Sequence, residues 1–223
     1  MKIGIIGGTG GMGKGFALRW CVNHDILIGS RDAIKAAQSA LEYTKNATEL
    51  YGSVKGKITG NDNVSIAKES DVLVLSIPYE NIDSTCPAIL SNTNNNCIVI
   101  SPIVPMTKTN SGFEFISFIE KKPSAFEMVQ KHMKDKTKLV AAFHTVSEKK
   151  LVDPNLVLDS DIFICGDDQK AIEIVSELVK EMKNLRPLIL GPGSLSYLAE
   201  VATPILLNAM IKNKMKNPGI KIV

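Results

Sequence analysis

Residues 7–15, GGTGGMGKG, directly follow the apolar run Ile3-Gly4-Ile5-Ile6 and contain Gly8-Thr9-Gly10-Gly11-Met12-Gly13. Glycine loses more freedom on folding than any other residue, so a loop this rich in it has to hold something that side chains would exclude. The spacing is G-x-G-x-x-G, with a strand pattern before it, a helix pattern after it and a second strand about twenty residues on, which is the context a dinucleotide needs. In that arrangement Gly8 serves the sharp turn, Gly10 the approach of a pyrophosphate to the backbone, and Gly13 the close packing of helix on strand. The unpaired N–H groups at the helix start, around Gly11 and Met12, then face the phosphates.

Which dinucleotide is bound is decided where the second strand runs out, at Ile28-Gly29-Ser30-Arg31. A fold that prefers NAD usually places a carboxylate there for the ribose hydroxyls. A Ser30 hydroxyl and an Arg31 guanidinium can instead grip a 2′-phosphate, which a carboxylate would repel. Asp32 reads as favouring the start of the next helix. Lys35, one helical turn past Arg31, adds positive charge. The expected cofactor is NADP(H).

Hydride transfer asks for two carbons held close in a dry site, so the remaining site residues are sought at the carboxyl ends of strands. Three segments qualify: Ser76-Ile77-Pro78-Tyr79, Ser101-Pro102-Ile103-Val104-Pro105, and Phe143-His144-Thr145. The two proline-bearing turns suit the wall of a nicotinamide pocket, although proline after a strand is also ordinary punctuation. Tyr79 either stacks near the cofactor or lines the crevice. His144 is the candidate catalytic residue, as an acid–base group or as a hydrogen-bond partner of an acceptor; a satisfied structural histidine is the competing reading. No Ser/His/Asp or Cys/His constellation supports hydrolase chemistry, and three histidines and four scattered cysteines show no metal-ligand spacing, so no metal is expected.

The elements that must position these groups alternate from the start. Lys2–Ile6, Asp25–Gly29, a weak run near Lys57–Ile58, Val72–Ile77, Ile98–Ser101 and Leu139–Phe143 read as buried strands. Helices are expected over Gly11–Cys21, Arg31–Asn46, Asn63–Lys68 and Tyr79–Leu90, and after a capping box at Ser124-x-x-Glu127. Phe113–Ile119 fits strand or helix. Further strands are expected at Asp161–Cys165 and Pro187–Leu190, with helices over Asp168–Lys183 and from Ser194 to Asn213. The last helix is apolar on most sides and should be buried against the body or a second subunit. The fold class expected is α/β: a Rossmann-type doubly wound parallel sheet with a small C-terminal α+β lobe, divided near residue 150 into 1–150 and 151–223.

Composition agrees with a soluble enzyme-sized domain: 44% apolar, 22% charged and a net charge of +3 over 223 residues. No dense basic stripe points to nucleic acid. The apolar stretch from Val201 to Ile211 contains Pro204 and Asn208 and reads as too short for a bilayer, so no membrane partner is expected. Cys21, Cys86, Cys97 and Cys165 read as buried free thiols, which suits the cytoplasm.

Taken in order, GGTGGMGKG, IGSR, SIPYE, ISPIVP, AFHT, CGDD and LRPLILGP resemble the NADP-dependent reductases of the deazaflavin coenzyme F-420, from residue 1 to the end of the chain. The resemblance implies reversible hydride transfer between NADP(H) and F-420, a C-terminal lobe that helps form the F-420 site, and a homodimer. It matches Thr9, Ser30, Arg31 and Lys35 to 2′-phosphate contacts, and Ile77, Pro78 and the Ser101–Val104 turn to the nicotinamide region. His144 and the last helix near Leu207 match the region of the deazaflavin. Tyr197 departs from the family pattern, which has a basic residue there. Two other readings fit the nucleotide loop: an NADP-dependent imine or ketone reductase, and a non-enzymatic NADP-binding redox sensor.

Overall fold

A computed structural model describes residues 1–116 and 123–223. The chain alternates β1 (Lys2–Ile6), α1 (Gly11–Trp20), β2 (Asp25–Ser30), α2 (Ala33–Tyr51), β3 (Ile58–Asp62), α3 (Asn63–Glu69) and β4 (Val72–Leu75). A single turn of 3-10 helix at Tyr79–Asn81 leads into α4 (Ile82–Leu90), followed by β5 (Ile98–Ser101). A hairpin, β6 (Met106–Lys108) and β7 (Phe113–Phe115), precedes α5 (Ala125–Gln130) and β8 (Leu139–Ala141). The remainder is α6 (Glu148–Val152), β9 (Ser160–Gly166), α7 (Gln169–Lys180), β10 (Leu185–Gly191) and α8 (Ser196–Lys212).

Eight strands form one sheet in the order β10-β9-β8-β5-β4-β1-β2-β3. The six from β3 to β8 run parallel, as near-continuous β-branched runs buried on both faces require. β9 turns back antiparallel on β8, with Ala141 opposite Cys165, and β10 runs parallel to β9. The sheet therefore continues across residue 150, and the second half of the chain extends it at one edge.

Two apolar layers cover the sheet. One centres on Phe16, Trp20 and Phe143, with Val175 and Val179 of α7 and the Ala36, Ala40, Tyr43, Ala47 stripe of α2. That stripe repeats at helical spacing past Asn46, which carries α2 on to Tyr51. The other layer packs Ile82, Cys86 and Ile89 of α4 with Phe126 and Val129 of α5. The capping box forms as its spacing predicts: Ser124 Oγ accepts the Glu127 N–H at 3.1 Å and Glu127 returns to the Ser124 N–H at 2.8 Å. Of the ambiguous run 113–119, Phe113–Phe115 is strand; 117–119 lie outside the described residues.

The last helix is only partly covered. Ala199, Glu200, Ala202 and Thr203 face the body, whereas Leu198 and Ile205 are 44% and 61% exposed. Glu200, fully buried, accepts the backbone N–H groups of Ala125 and Phe126 at 3.1 and 3.0 Å, and burial pushes its carboxyl up to about 7. The helical stretch Gly193–Lys212, with mean hydropathy 1.3, is long and apolar enough to cross a membrane, unlike the shorter run read from the sequence. One face of it is packed and carries the buried Glu200, and length and composition alone give no ground for a membrane location.

Candidate active site

The glycine loop sits at the carboxyl end of β1. Gly7, just ahead of the motif, takes φ +72°, and a Cβ there would collide with the Ser76 carbonyl. The left-handed residue of the turn is thus Gly7 rather than Gly8. Gly8 instead donates its N–H to the Gly29 carbonyl at 3.0 Å and lies under α1, where a Cβ on Gly13 would fall 2.6 Å from the Gly8 Cα. A Cβ on Gly10 would meet only the Gly7 carbonyl at 3.4 Å, so this stretch stays open to an approaching group. Gly10 caps α1 without a side chain and no acidic residue stands in the first turn itself, so among the described residues the N–H groups of Gly11, Met12 and Gly13 take no side-chain cap. Thr9 is half-buried beside them. Behind the loop, the Tyr43 hydroxyl of α2 donates to the Gly8 carbonyl at 3.2 Å.

At the end of β2, Asp32 is committed to the helix start, accepting the N–H groups of Ile34 and Lys35 at 2.9 and 3.2 Å. Arg31 and Lys35 are exposed and form no ion pair among the described residues. Two uncommitted cations beside Ser30 are what a 2′-phosphate would meet.

Beyond the carboxyl ends of β4, β5 and β8 lies a cleft of about 890 Å³. Met12, Ile77, Pro78, Tyr79, Pro102, Ile103, Val104, His144 and Leu207, from five separate segments, all line it. Ser30, Arg31, Lys35 and the loop glycines stand outside it, on the β1–β2 side. Ser101 lies beneath it, 1% exposed, with a hydroxyl that has no protein partner among the described residues. Tyr79 is held by its hydroxyl, which donates to the Pro123 carbonyl at 3.0 Å.

His144 is aimed by its neighbours. Phe143 takes φ +68°, a conformation rare for a bulky residue, and its ring is fixed edge-on against Phe16 and Trp20 at 5.2 and 5.6 Å. The His144 carbonyl accepts the Thr203 hydroxyl of α8 at 2.8 Å. The imidazole is buried, and neither ring nitrogen has a protein partner among the described residues. Burial pushes its pKa down to about 3, so the ring is neutral near pH 7 and offers one donor and one acceptor. A neutral imidazole whose two nitrogens have no protein partner among the described residues is available to hydrogen-bond a ligand in the cleft.

Thr145 joins His144 in the wall as its segment predicts, but sequence reasoning missed much of the rest: Met106, Val146 to Lys149, Thr203, Leu206, Met210 and the segment Met215 to Pro218. The helix α6, which begins at Glu148, is held at its other end by Arg19 of α1, whose guanidinium donates to the carbonyls of Lys150, Leu151, Asp153 and Leu156 at 2.6–3.3 Å. Glu148 brings its carboxylate against Gly11, at the start of α1. No motif announces these contacts. Among the described residues no cluster of His, Cys, Asp and Glu could hold a metal ion.

An open glycine loop on the first strand of a parallel sheet, with a deep apolar cleft beyond the neighbouring strands, defines a dinucleotide-binding protein of the Rossmann class. Comparison with known proteins narrows this further. The family model "NADP oxidoreductase coenzyme F420-dependent" matches residues 2–105. The F420-dependent NADP reductase of Methanocaldococcus jannaschii is 36% identical over 224 residues, covering 100% of this chain and 98% of that protein. Its namesake from Methanothermobacter thermautotrophicus is 31% identical over 226 residues, covering 100% and 94%. A crystal structure of a candidate F420-dependent NADP reductase from Arthrobacter sp. FB24 has the same fold, with TM-score 0.78 at 20% identity over 100% of this chain and 99% of that one. The chain belongs to the F420-dependent NADP reductase family.

Proposed function

We propose that the protein is an oxidoreductase that passes hydride reversibly between NADP(H) and coenzyme F-420. The observation that carries this reading is the cleft of about 890 Å³ that holds Met12 of the glycine loop and His144, large enough for two stacked rings, with an apolar wall of Ile77, Pro78, Pro102, Ile103, Val104 and Leu207. NADPH supplies a hydride and F-420 accepts it with a solvent proton, leaving NADP⁺ and reduced F-420.

The chain's own part is positional. The α1 N-terminus and open Gly10 receive the pyrophosphate, with Gly8, Gly11 and Gly13 shaping the backbone there. Ser30, Arg31 and Lys35 hold the 2′-phosphate, and Thr9 stands at the same end. Met12, Ile77, Pro78, Tyr79 and the Ser101-Pro102-Ile103-Val104 turn wall the nicotinamide and exclude water. Neutral His144 donates or accepts a hydrogen bond to the deazaflavin, and Leu207 packs on it. Placing two carbons in contact in a dry cleft is the greater part of what such a transfer needs. The imine or ketone reductase reading asks for an acid–base group at the nicotinamide, and the burial of His144 argues against it.

The exposed apolar side of α8, with Leu198, Ile205 and Ile211, supports a homodimer contact, and residues 151–223 act as the lobe that completes the F-420 site. The four cysteines are buried and free, which suits the reducing cytoplasm. The test mixes protein, NADPH and oxidised F-420 and follows loss of the deazaflavin's visible absorbance, with NADH as control. Bleaching with NADPH is expected. Binding of NADPH without bleaching points to the redox-sensor alternative and contradicts the proposal.

A further inference from the structure

The segment between α8 and the last residues crosses the cleft and is tied down at both ends. At its start, the Met215 N–H donates to the Met210 carbonyl at 2.9 Å. Met215, Lys216, Asn217 and Pro218 then line the cleft. Lys214 and Asn217 take φ +52° and +46°, left-handed conformations that non-glycine residues keep only where their surroundings hold them.

What holds the far end is a latch on β9 and β10. The Arg186 guanidinium grips Asp161 in two parallel bonds, Nε to Oδ1 and Nη2 to Oδ2, both 2.8 Å. The same two side chains bind the backbone of the tail: the Ile222 N–H donates to Asp161 Oδ2 at 2.6 Å, and Arg186 Nη2 donates to the Ile222 carbonyl at 2.5 Å. The Asp161 N–H donates to the Ile220 carbonyl at 2.7 Å, and Lys221 pairs with Asp159 at 2.7 Å. Gly219 lies so close on Ser160 that a Cβ would collide with its hydroxyl. The Asp161 carboxylate is fully buried, so it is a fixed anchor rather than a surface charge.

The place of the latch in the sheet decides which ligand it concerns. β9 runs antiparallel to β8, so its first residues, Ser160 and Asp161, stand beyond the carboxyl end of β8. In the strand order that is the side of the cleft away from β1 and β2, where the glycine loop and Arg31 lie. The strap therefore borders the half of the cleft left to the hydride acceptor.

We infer that residues 214–218 are a strap forming the outer wall of the acceptor half, and that Asp161 and Arg186 are positioning residues that set acceptor affinity by clamping its far end. The inference rests on the proposed function for the identity of the acceptor and adds a specificity device outside the motifs. Arg186 and Asp161 touch neither substrate; they act through the tail backbone.

The experiment measures KM for oxidised F-420 and for NADPH, with Kd for NADPH by fluorescence, in the unaltered protein, in Arg186→Gln, in Arg186→Lys and in a chain ended at Pro218. The shortened chain leaves the sheet intact and guards against a folding defect in the substitutions. In Arg186→Gln and the shortened chain, KM for F-420 should rise about five- to twentyfold, the scale of one or two charge-assisted hydrogen bonds partly open to solvent. KM and Kd for NADPH should stay within about twofold, because the nucleotide edge is untouched. Arg186→Lys keeps the charge without the fork and should recover part of the loss. Hydrogen exchange at the Ile222 amide should quicken in Arg186→Gln. An unchanged KM for F-420 in both latch variants, or equal rises in both KM values, overturns the strap while leaving the proposed function standing. No F-420 turnover by the unaltered protein overturns the proposed function, and the strap's role with it.

Discussion

The two edges of the sheet are built on opposite plans. At the β1–β2 edge the nucleotide elements are contiguous in sequence, residues 7–13 and 30–35, and the chemistry there is mostly backbone: open N–H groups, tight glycine packing and two uncommitted cations. At the β8–β10 edge the acceptor wall is collected from residues 144–147, 203–210 and 215–218, and His144, Thr145 and Thr203 among them are buried polar side chains. A backbone site is fragile to added volume and indifferent to pH. A site of buried side chains should answer to charge, protonation and the residues that hold it.

The comparison breaks most visibly at Gly13. An Ala Cβ there meets the Gly8 backbone, which cannot move aside as a flexible side chain could. Gly13→Ala should lower stability by about 1–3 kcal/mol, an overpacking cost, and should weaken NADP(H) beyond detection in an ordinary fluorescence titration. Thermal melting with and without NADPH reads both. A variant that binds NADPH normally would deny that the close contact matters.

Arg31→Ala should weaken NADP(H) by about 1.5–3 kcal/mol, the range of a hydrogen bond to a charged group, with NADH unaffected. Calorimetric titration with each nucleotide checks it. Equal weakening of both would remove the 2′-phosphate from this position.

His144 should show itself through what it does not do. With its pKa near 3, turnover should carry no inflection from this ring between pH 5 and 8, and His144→Ala should lose activity only in part, about tenfold. The stability consequence has a definite sign. A folded pKa below the unfolded value of about 6.5 means that the unfolded chain binds the extra proton, so this contribution is complete above that value and is lost as pH falls toward 3. His144→Ala should flatten that acid loss in urea titrations run across the range. Glu200 works the other way: raised to about 7, its contribution is greatest below the ordinary carboxyl range and declines as pH rises through 7.

The smallest effect should come from Glu148, whose carboxylate stands beside Gly11 where a pyrophosphate would gather negative charge. Glu148→Gln should tighten NADP(H) about two- to threefold at low ionic strength and lose that gain in high salt, since the residue is exposed. Tightening that survives high salt would point away from charge.

Why one edge was legible and the other was not follows from this contrast. The glycine spacing, the helix start at Asp32 and the capping box at Ser124 are local rules, written in a few consecutive residues, and the structure keeps each of them. Four of the parallel strands were equally plain as short apolar runs at β1, β2, β4 and β5, whereas β3, Ile58–Asp62, reads ITGND and gave only a weak signal. Beyond residue 150 the strands could be read but their destination could not. That β9 reverses onto β8 depends on long-range pairing, and no turn residue fixes it. Phe143 in a left-handed conformation defies propensity and is held there only by Phe16, Trp20 and Thr203 from other elements. The sharp turn falls to Gly7 rather than Gly8 because the G-x-G-x-x-G spacing starts one residue after the position that takes the left-handed conformation. The strap was invisible for the same reason as the wall at Glu148: each is placed by an arginine, Arg186 or Arg19, far away in sequence.

The division of labour between the edges is tested most directly by measuring KM for NADPH and for F-420 in Arg31→Ala, His144→Ala and the double variant. If the edges recognise separate substrates, Arg31→Ala raises only the NADPH value, His144→Ala only the F-420 value, and the double variant shows both losses, additive to within about 0.5 kcal/mol. Both KM values moving together in either single variant would contradict the account.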